Sequence, residues 1–322
     1  MKITKDKISY KLHSKIVSAF GIWSYPSYWR YRIKGACQNP DKSGFYLAAL
    51  PNPGAGIGHQ LANWIAGYWF ARLFGLKFAN LPFSTKQWDD FLGFGLGEEQ
   101  TSDLVKRGWK VRRIPRFKET NQEEVQLVKD IMSTYNGQKI VFLCEQDQFY
   151  KYQYGVMTDI QRKFHTNPMR KTEKLQYSTD HYNIAIHVRR GDIMSDPTNP
   201  NLVMRYLSND YFEKVLSQVV DMVATDKPVH IWFFSQGKPE DYPEFAHFPN
   251  LHWCMDMGAQ ESFLHMVYAD LLITSKSSFS YKPALLNRGI KVCPENFWHG
   301  YPKTSDWVMV DNEGKILHNI LQ

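Results

Sequence analysis

Four short apolar runs, NIAIHV (183–188), VHIWFFS (229–235), LLITS (271–275) and IKVCP (290–294), recur along the C-terminal half of this chain. Between them lie the helix-patterned segments YFEKVLSQVVDMV, ESFLHMVYAD and FSYKPALLN. Runs with no polar face to turn toward water need cover on both sides, and their regular alternation with helices predicts a parallel sheet clad by helices. In such a sheet, ligands settle just beyond the carboxyl ends of the strands. The residues following each run are therefore the first place to look for chemistry.

The N-terminal half repeats the scheme less regularly. GFYLAAL (44–50) reads as a buried strand, and PNPGAGIG as a loop into the helix GHQLANWIAGYWFARLFG, whose apolar stripe is Leu61, Trp64, Ile65, Tyr68 and Trp69. A helix over EEVQLVKDIMSTY and a strand KIVFLC (139–144) follow. The charged segment RKFHTNPMRKTEKLQYSTD (162–180) is the expected connection to a second α/β module. A length of 322 residues suits two modules.

A formal charge of +7 favours an anionic partner. The chain has no Lys/Arg run, zinc-finger spacing or RNP-type motif, which points away from nucleic acid and toward a phosphorylated small molecule. Cys37, Cys144, Cys254 and Cys293 are too widely spaced for a metal or redox pair and read mostly as core thiols of a reducing compartment. No Asn-x-Ser/Thr acceptor occurs. The first residues lack the apolar core of a signal peptide, and no stretch approaches the roughly 20 apolar residues that span a bilayer, so a cytoplasmic protein is expected. Leu12, Ile16, Phe20 and Trp23 fall at helical spacing beside Lys11 and Lys15, as in a helix lying on a membrane surface; the alternative is a helix packed on its own domain.

The strand NIAIHV delivers Arg189 and Arg190 to its carboxyl end. Guanidinium groups are planar, forked donors that match phosphate oxygens, and Gly191 beside them lets a ligand approach the backbone, so the pair suits a diphosphate. The competing reading is a surface ion pair with Asp192. Ser275-Lys276-Ser277-Ser278-Phe279-Ser280, after LLITS and before a helix, offers hydroxyls and free amides to an anion, or a helix cap at Ser277 or Ser278. Gly54-Ala55-Gly56-Ile57-Gly58-His59 has the spacing G-x-G-x-G, and LKFANLPF after it ends without an acidic residue, which argues against a dinucleotide site. No D-x-D pair or H-x-x-x-H pairing appears, and Asp89-Asp90 reads as a turn and helix cap, so no metal is expected and arginine takes the cation's role. A G-x-S-x-G elbow is also missing.

The segment His187 to Asp192, HVRRGD, resembles the H-x-R-R-x-D motif of the α-1,2- and α-1,6-fucosyltransferases in full. YADLLITSKSSFSYKPALLN is similar to that superfamily's later donor-pocket segment, and the glycine loop to its G-x-G-N-Q segment, with His59 where asparagine is usual. Phe-Ser-Tyr-Lys stands where many α-1,2 members have paired tryptophans. The resemblance implies a GT-B-like α/β fold: two Rossmann-like domains facing a cleft, with residues 1–165 (including the basic aromatic arm) on the acceptor side and 180–322 binding the donor. It implies inverting, metal-independent and cofactor-free transfer of L-fucose from GDP-fucose to a glycan hydroxyl, with an α-1,2 linkage, on a surface polysaccharide or lipid-linked glycan.

By motif position, Arg189 would contact the diphosphate with Arg190 and His187 in support. Ser277, Ser278 and Phe279 would line the nucleotide pocket, Asp270 would accept hydrogen bonds from guanine, and Gly56, Gly58 and His59 would lie on the donor side. Arginines placed where charge builds on the departing diphosphate would do the work of a metal ion. Asp192 and Asp196 are the candidate bases for the acceptor hydroxyl. The alternatives are transfer from another GDP-sugar and a non-catalytic module that binds GDP or a phospho-ligand.

Overall fold

The computed structural model describes residues 2–146, 153–255 and 257–317. The chain divides into two compact units, Met1–Asn167 and Pro168–Gln322.

Unit 1 runs α1 (Lys2–Phe20), α2 (Pro26–Lys34), β1 (Phe45–Ala49), α3 (Ile57–Phe74), β2 (Lys77–Asn80), α4 (Lys86–Leu92), β3 (Glu99–Gln100), α5 (Thr101–Lys106), β4 (Lys110–Arg113), α6 (Gln122–Ser133), β5 (Ile140–Cys144) and α7 (Met157–Thr166). Its sheet has the order β3-β2-β1-β5-β4, with parallel pairing throughout. The central strands β1 and β5 are buried at every position. Helix α3 lacks the one-sided stripe expected of it and is buried almost all round. The cause is close approach: a Cβ on Gly67 would lie 2.3 Å from the Cβ of Ala49, so α3 lies directly on β1. Asp89 and Asp90 sit within α4, and the cap there is Thr85.

Unit 2 runs β6 (Tyr182–His187), α8 (Pro200–Val203), α9 (Asn209–Met222), β7 (Val229–Phe234), β8 (Leu251–Trp253), α10 (Ala259–Tyr268), β9 (Leu271–Ile273), α11 (Ser278–Leu286), β10 (Ile290–Pro294) and β11 (Trp307–Val310). Its strand order is β11-β10-β9-β6-β7-β8, all parallel. Read from the other edge, this is the doubly wound nucleotide-binding order, in which the chain reverses direction across the sheet between its first and fourth strands. Here those strands are β6 and β9. The α/β class expected from the sequence therefore holds in both units, and topology alone places the crevice of unit 2 at the carboxyl ends of β6 and β9.

Side chains alternate along β6. Ile184, Ile186 and Val188 enter a buried cluster with Phe212, Leu216 and Val219 of α9. Ala185 and His187 face the other way, and the His187 ring lies 5.6 Å from Phe279 of α11. Arg189 and Arg190 follow directly after the strand, and their bonding partners decide which arginine can meet a ligand.

Candidate functional site

A cavity of about 360 Å³ opens beyond the carboxyl ends of β6 and β7, within the size range of small-molecule sites. Its polar lining includes His187, Arg189, Ser235, Gln236 and Ser262, and its apolar lining includes Phe234, Met255, Met257 and Phe279. Among the described lining residues none is a carboxylate. The start of α10, whose N-cap is Gly258, also reaches the cavity, through Ala259 and Ser262. Amides of a first helical turn have no intrahelical acceptor, so they add partial positive charge to that of Arg189. Arginines, a helix start and hydroxyls above an apolar floor make a lining suited to an anion joined to a flat or apolar group.

The two arginines have different tasks. Arg190 shares the parity of Val188 and turns toward α9: its Nη1 donates to the Arg189 carbonyl at 2.7 Å and its Nη2 to Asn209 Oδ1 at 2.5 Å. Its guanidinium stacks 4.8 Å over the Tyr206 ring, and the residue is 9% exposed. Asn209 is itself held by the Asp241 carbonyl and by Glu244. Although Arg190 touches the cavity wall, its fork is engaged in fastening the strand end to α9, so the expected two-arginine clamp reduces to one. Arg189 falls on the His187 side. Its Nη2 donates to Asp192 Oδ1, while a quarter of the side chain stays open to solvent.

Asp192 is thus the partner that the ion-pair reading anticipated, and it orients Arg189 at the cavity. Its side chain is 65% exposed. Gly191 makes the turn between them: its φ is +71°, and a Cβ there would fall 2.0 Å from Gln236 Oε1. Any other residue at this position would meet backbone strain and would push the end of the Gln236 side chain aside.

His187 is buried at the junction of β6 and β9, where its Nδ1 lies 2.7 Å from Ser275 Oγ. Burial, reinforced by Arg189 and Arg190, pushes its pKa down to about 3, so the imidazole stays neutral at physiological pH. A neutral ring can donate or accept one hydrogen bond to a ligand but contributes no charge.

The serine segment is also divided. Ser277 caps α11 by accepting from the Phe279 amide at 3.2 Å, as the helix-cap reading expected. Ser278 Oγ lies 3.1 Å from His299 Nε2. Of Ser277, Ser278 and Phe279, only Phe279 lines the cavity.

Asp270 requires a correction. It precedes β9, and in a parallel sheet that places it at the amino edge, opposite the cavity. Its Oδ2 accepts from the Asn183 amide at 2.8 Å, and the strand separating Asn183 from His187 spans about 13 Å. Contact with a base in the cavity is excluded by that position, and its role in unit 2 is to fix strand starts. Asp196 also stays outside the lining: its Oδ1 accepts from the Thr198 amide at 3.0 Å and from the Thr198 hydroxyl at 2.7 Å in an exposed turn, and these bonds hold its pKa low. Gly56, Gly58 and His59 belong to unit 1, where Gly56 precedes α3 as its cap and Gly58 is buried in its first turn.

Sequence reasoning missed the β7 and β8 side of the site. Ser235 Oγ bonds the Val188 carbonyl and the Tyr242 hydroxyl, which holds the β7 end against the arginine loop. Met255 and Met257 follow β8, a strand of three half-buried residues with too weak a pattern to detect. Among the described residues, no group of three or more His, Cys, Asp or Glu is placed to hold a metal ion.

No family model and no curated protein sequence matches the chain. Solved structures match it loosely. The fucosyltransferase NodZ from Bradyrhizobium is 12% identical over 76% of this chain and 93% of that one, with a TM-score of 0.44. POFUT1 in complex with GDP is 12% identical over 79% and 99%, with a TM-score of 0.48. The E. coli heptosyltransferase WaaC with ADP is 10% identical over 85% and 95%, with a TM-score of 0.42. Likeness at this level transfers neither an activity nor a residue role.

Proposed function

We propose that unit 2 binds the nucleoside diphosphate of a GDP-sugar and that the chain is a metal-independent, inverting glycosyltransferase moving L-fucose from GDP-fucose to a glycan hydroxyl. One observation carries the reading: Arg189, among the described lining residues the one arginine whose fork is not spent on the protein, stands beside neutral His187 and the start of α10 at the switch point of a doubly wound sheet. The sequence around it, HVRRGD, adds the resemblance to fucosyltransferases.

In this proposal the base packs against Phe234, Met255, Met257 or Phe279, and the diphosphate lies against Arg189 and the first turn of α10. As the glycosidic bond to the diphosphate breaks, negative charge grows on the leaving oxygens. Arg189, already oriented by Asp192, stabilises that charge without reorganising. His187 supplies a neutral hydrogen bond that does not change with pH over the working range. Loss of the acceptor's proton needs a base from outside the described cavity lining. Asp192 is the nearer of the two expected candidates, but its partnership with Arg189 suits it to positioning instead. The acceptor class remains a surface polysaccharide or lipid-linked glycan reached from the cytoplasm, with an α-1,2 linkage as the sequence resemblance implies.

The test is GDP release by the EDTA-treated protein from GDP-fucose, GDP-mannose and UDP-glucose, with and without a mixture of glycan acceptors. The expected result is release from GDP-fucose alone, accelerated by acceptor. Release only from another GDP-sugar would correct the sugar; tight GDP binding with no release from any donor would reduce the protein to a binding module.

A further inference from the structure

The formal charge of the chain is concentrated in its first 34 residues. They hold eight Lys/Arg against one acid, a net +7, which equals the whole-chain figure of 39 Lys+Arg against 32 Asp+Glu, so the remainder is balanced. The same segment carries an apolar surface. Leu12 is 59% exposed, Phe20 64%, Trp23 54% and Ile33 83%, with Ile16 and Trp29 also exposed. If α1 were a helix packed on its own unit through the Leu12, Ile16 and Phe20 stripe, those residues would be buried. The packed face is a different one: Val17 joins Tyr25, Tyr28 and Ile131 in a buried cluster, and His13 Nε2 lies 2.9 Å from the buried Glu145 carboxylate.

The segment is therefore anchored to unit 1 on one side and presents apolar and aromatic side chains on another. Trp23 and Trp29 are fixed together, with ring centroids 5.2 Å apart and Trp29 Nε1 donating to the Trp23 carbonyl at 2.9 Å. A groove of about 520 Å³ next to them is lined by Trp29, Ile33, Arg30 and Lys34. No helix among the described residues is long and apolar enough to cross a membrane.

We infer that the α1–α2 face docks on the surface of an anionic lipid bilayer, with Leu12, Phe20, Trp23 and Ile33 entering the headgroup–acyl boundary and the exposed Lys11, Lys15, Arg32 and Lys34 meeting lipid phosphates. Amphipathic aromatic rings favour that boundary, and basic side chains beside apolar ones add attraction that salt weakens. Charge selects the occupant: a second copy of this chain docking face to face would set one +7 segment against another, whereas an anionic bilayer complements it. This inference is independent of what the cavity in unit 2 binds.

The full-length protein is floated with vesicles of phosphatidylglycerol and phosphatidylcholine in equal parts, and with phosphatidylcholine alone. Wild type is expected on the anionic vesicles only, leaving them as salt is raised, with its tryptophan emission shifted to the blue when bound. The double variant Phe20→Ser/Ile33→Ser, altered at two exposed positions, should lose at least about tenfold in partitioning at an unchanged melting temperature. Absence of wild type from anionic vesicles, equal flotation with both vesicle types, or equal flotation of wild type and variant would overturn the inference. A salt-stable dimer that the same double variant dissolves would assign the face to self-association and overturn it as well.

Discussion

Replacing Arg189 by alanine is expected to lower GDP affinity about 100-fold and to remove detectable transfer. Among the described lining residues the Arg189 guanidinium is the one cation left open to a ligand, since Arg190 is occupied with Asn209, Tyr206 and the Arg189 carbonyl. Charge-assisted hydrogen bonds to an anion contribute about 1.5–3 kcal/mol each, and two of them correspond to a loss of at least that size. The loss in rate should exceed the loss in binding, because charge on the diphosphate is greatest as the bond breaks. Arg189→Lys should recover little, because an ammonium cannot reproduce the fork that bonds Asp192 and a phosphate together. Arg190→Ala should behave differently, lowering the melting temperature through the freed start of α9 more than it lowers GDP affinity. Calorimetry and melting curves on the three variants separate these effects. Wild-type GDP affinity in Arg189→Ala would remove the diphosphate site.

Acid should destabilise unit 2 well before its carboxylates titrate. His187 has an ordinary pKa of 6.5 once unfolded and about 3 when buried beside Arg189 and Arg190. The unfolded chain therefore takes up a proton that the folded chain refuses, so the stability this residue contributes is complete above pH 6.5 and lost progressively as pH falls toward 3. At pH 5.5 the loss amounts to about 1.4 kcal/mol for this histidine alone.

Other imidazoles act in the same direction. His265 is held below its ordinary pKa by burial. His230 and His252 are lowered by burial first and by neighbouring imidazoles second, in a ring stack where His181 and His230 lie 3.7 Å apart. The urea midpoint should fall between pH 7 and 5.5, and the variant His187→Gln should show a shallower fall. A midpoint that holds or rises over that interval would contradict the assignment of a neutral, buried His187.

Much of unit 2 could be read in advance because its central strands are continuous apolar runs: β6, β7, β9 and β10 were all legible. Strands β3, β8 and β11 were not, being short elements at the sheet edges. Exposed β4, KVRR, carries no apolar period at all. The cavity was located from one side only, since β6 announces its end with a charge pair while β7 and β8 end in Ser235, Gln236 and Met255, whose roles depend on neighbours brought in by pairing.

Two places show where motif position departed from the observed geometry. Asp270 lies directly before a strand, and in a parallel sheet the residue before a strand belongs to the edge opposite the ligand. Arg189 and Arg190 both reach the cavity, but Arg190 spends its fork on Asn209 and the Arg189 carbonyl. The placement of Asp270 was available from strand order alone; the partners of Arg190 depend on α9 packing beside the strand end. The burial of α3 was harder to foresee, because it depends on Gly67 allowing the helix to rest on Ala49.

The central claim, a metal-free guanine nucleotide diphosphate site in unit 2, is tested most directly by calorimetric titration of EDTA-treated protein with GDP and GDP-fucose, with UDP-glucose and NAD as controls. The account predicts saturable, guanine-selective binding that survives EDTA and weakens in Arg189→Ala. Absence of nucleotide binding, or equal binding of all four compounds, would contradict it.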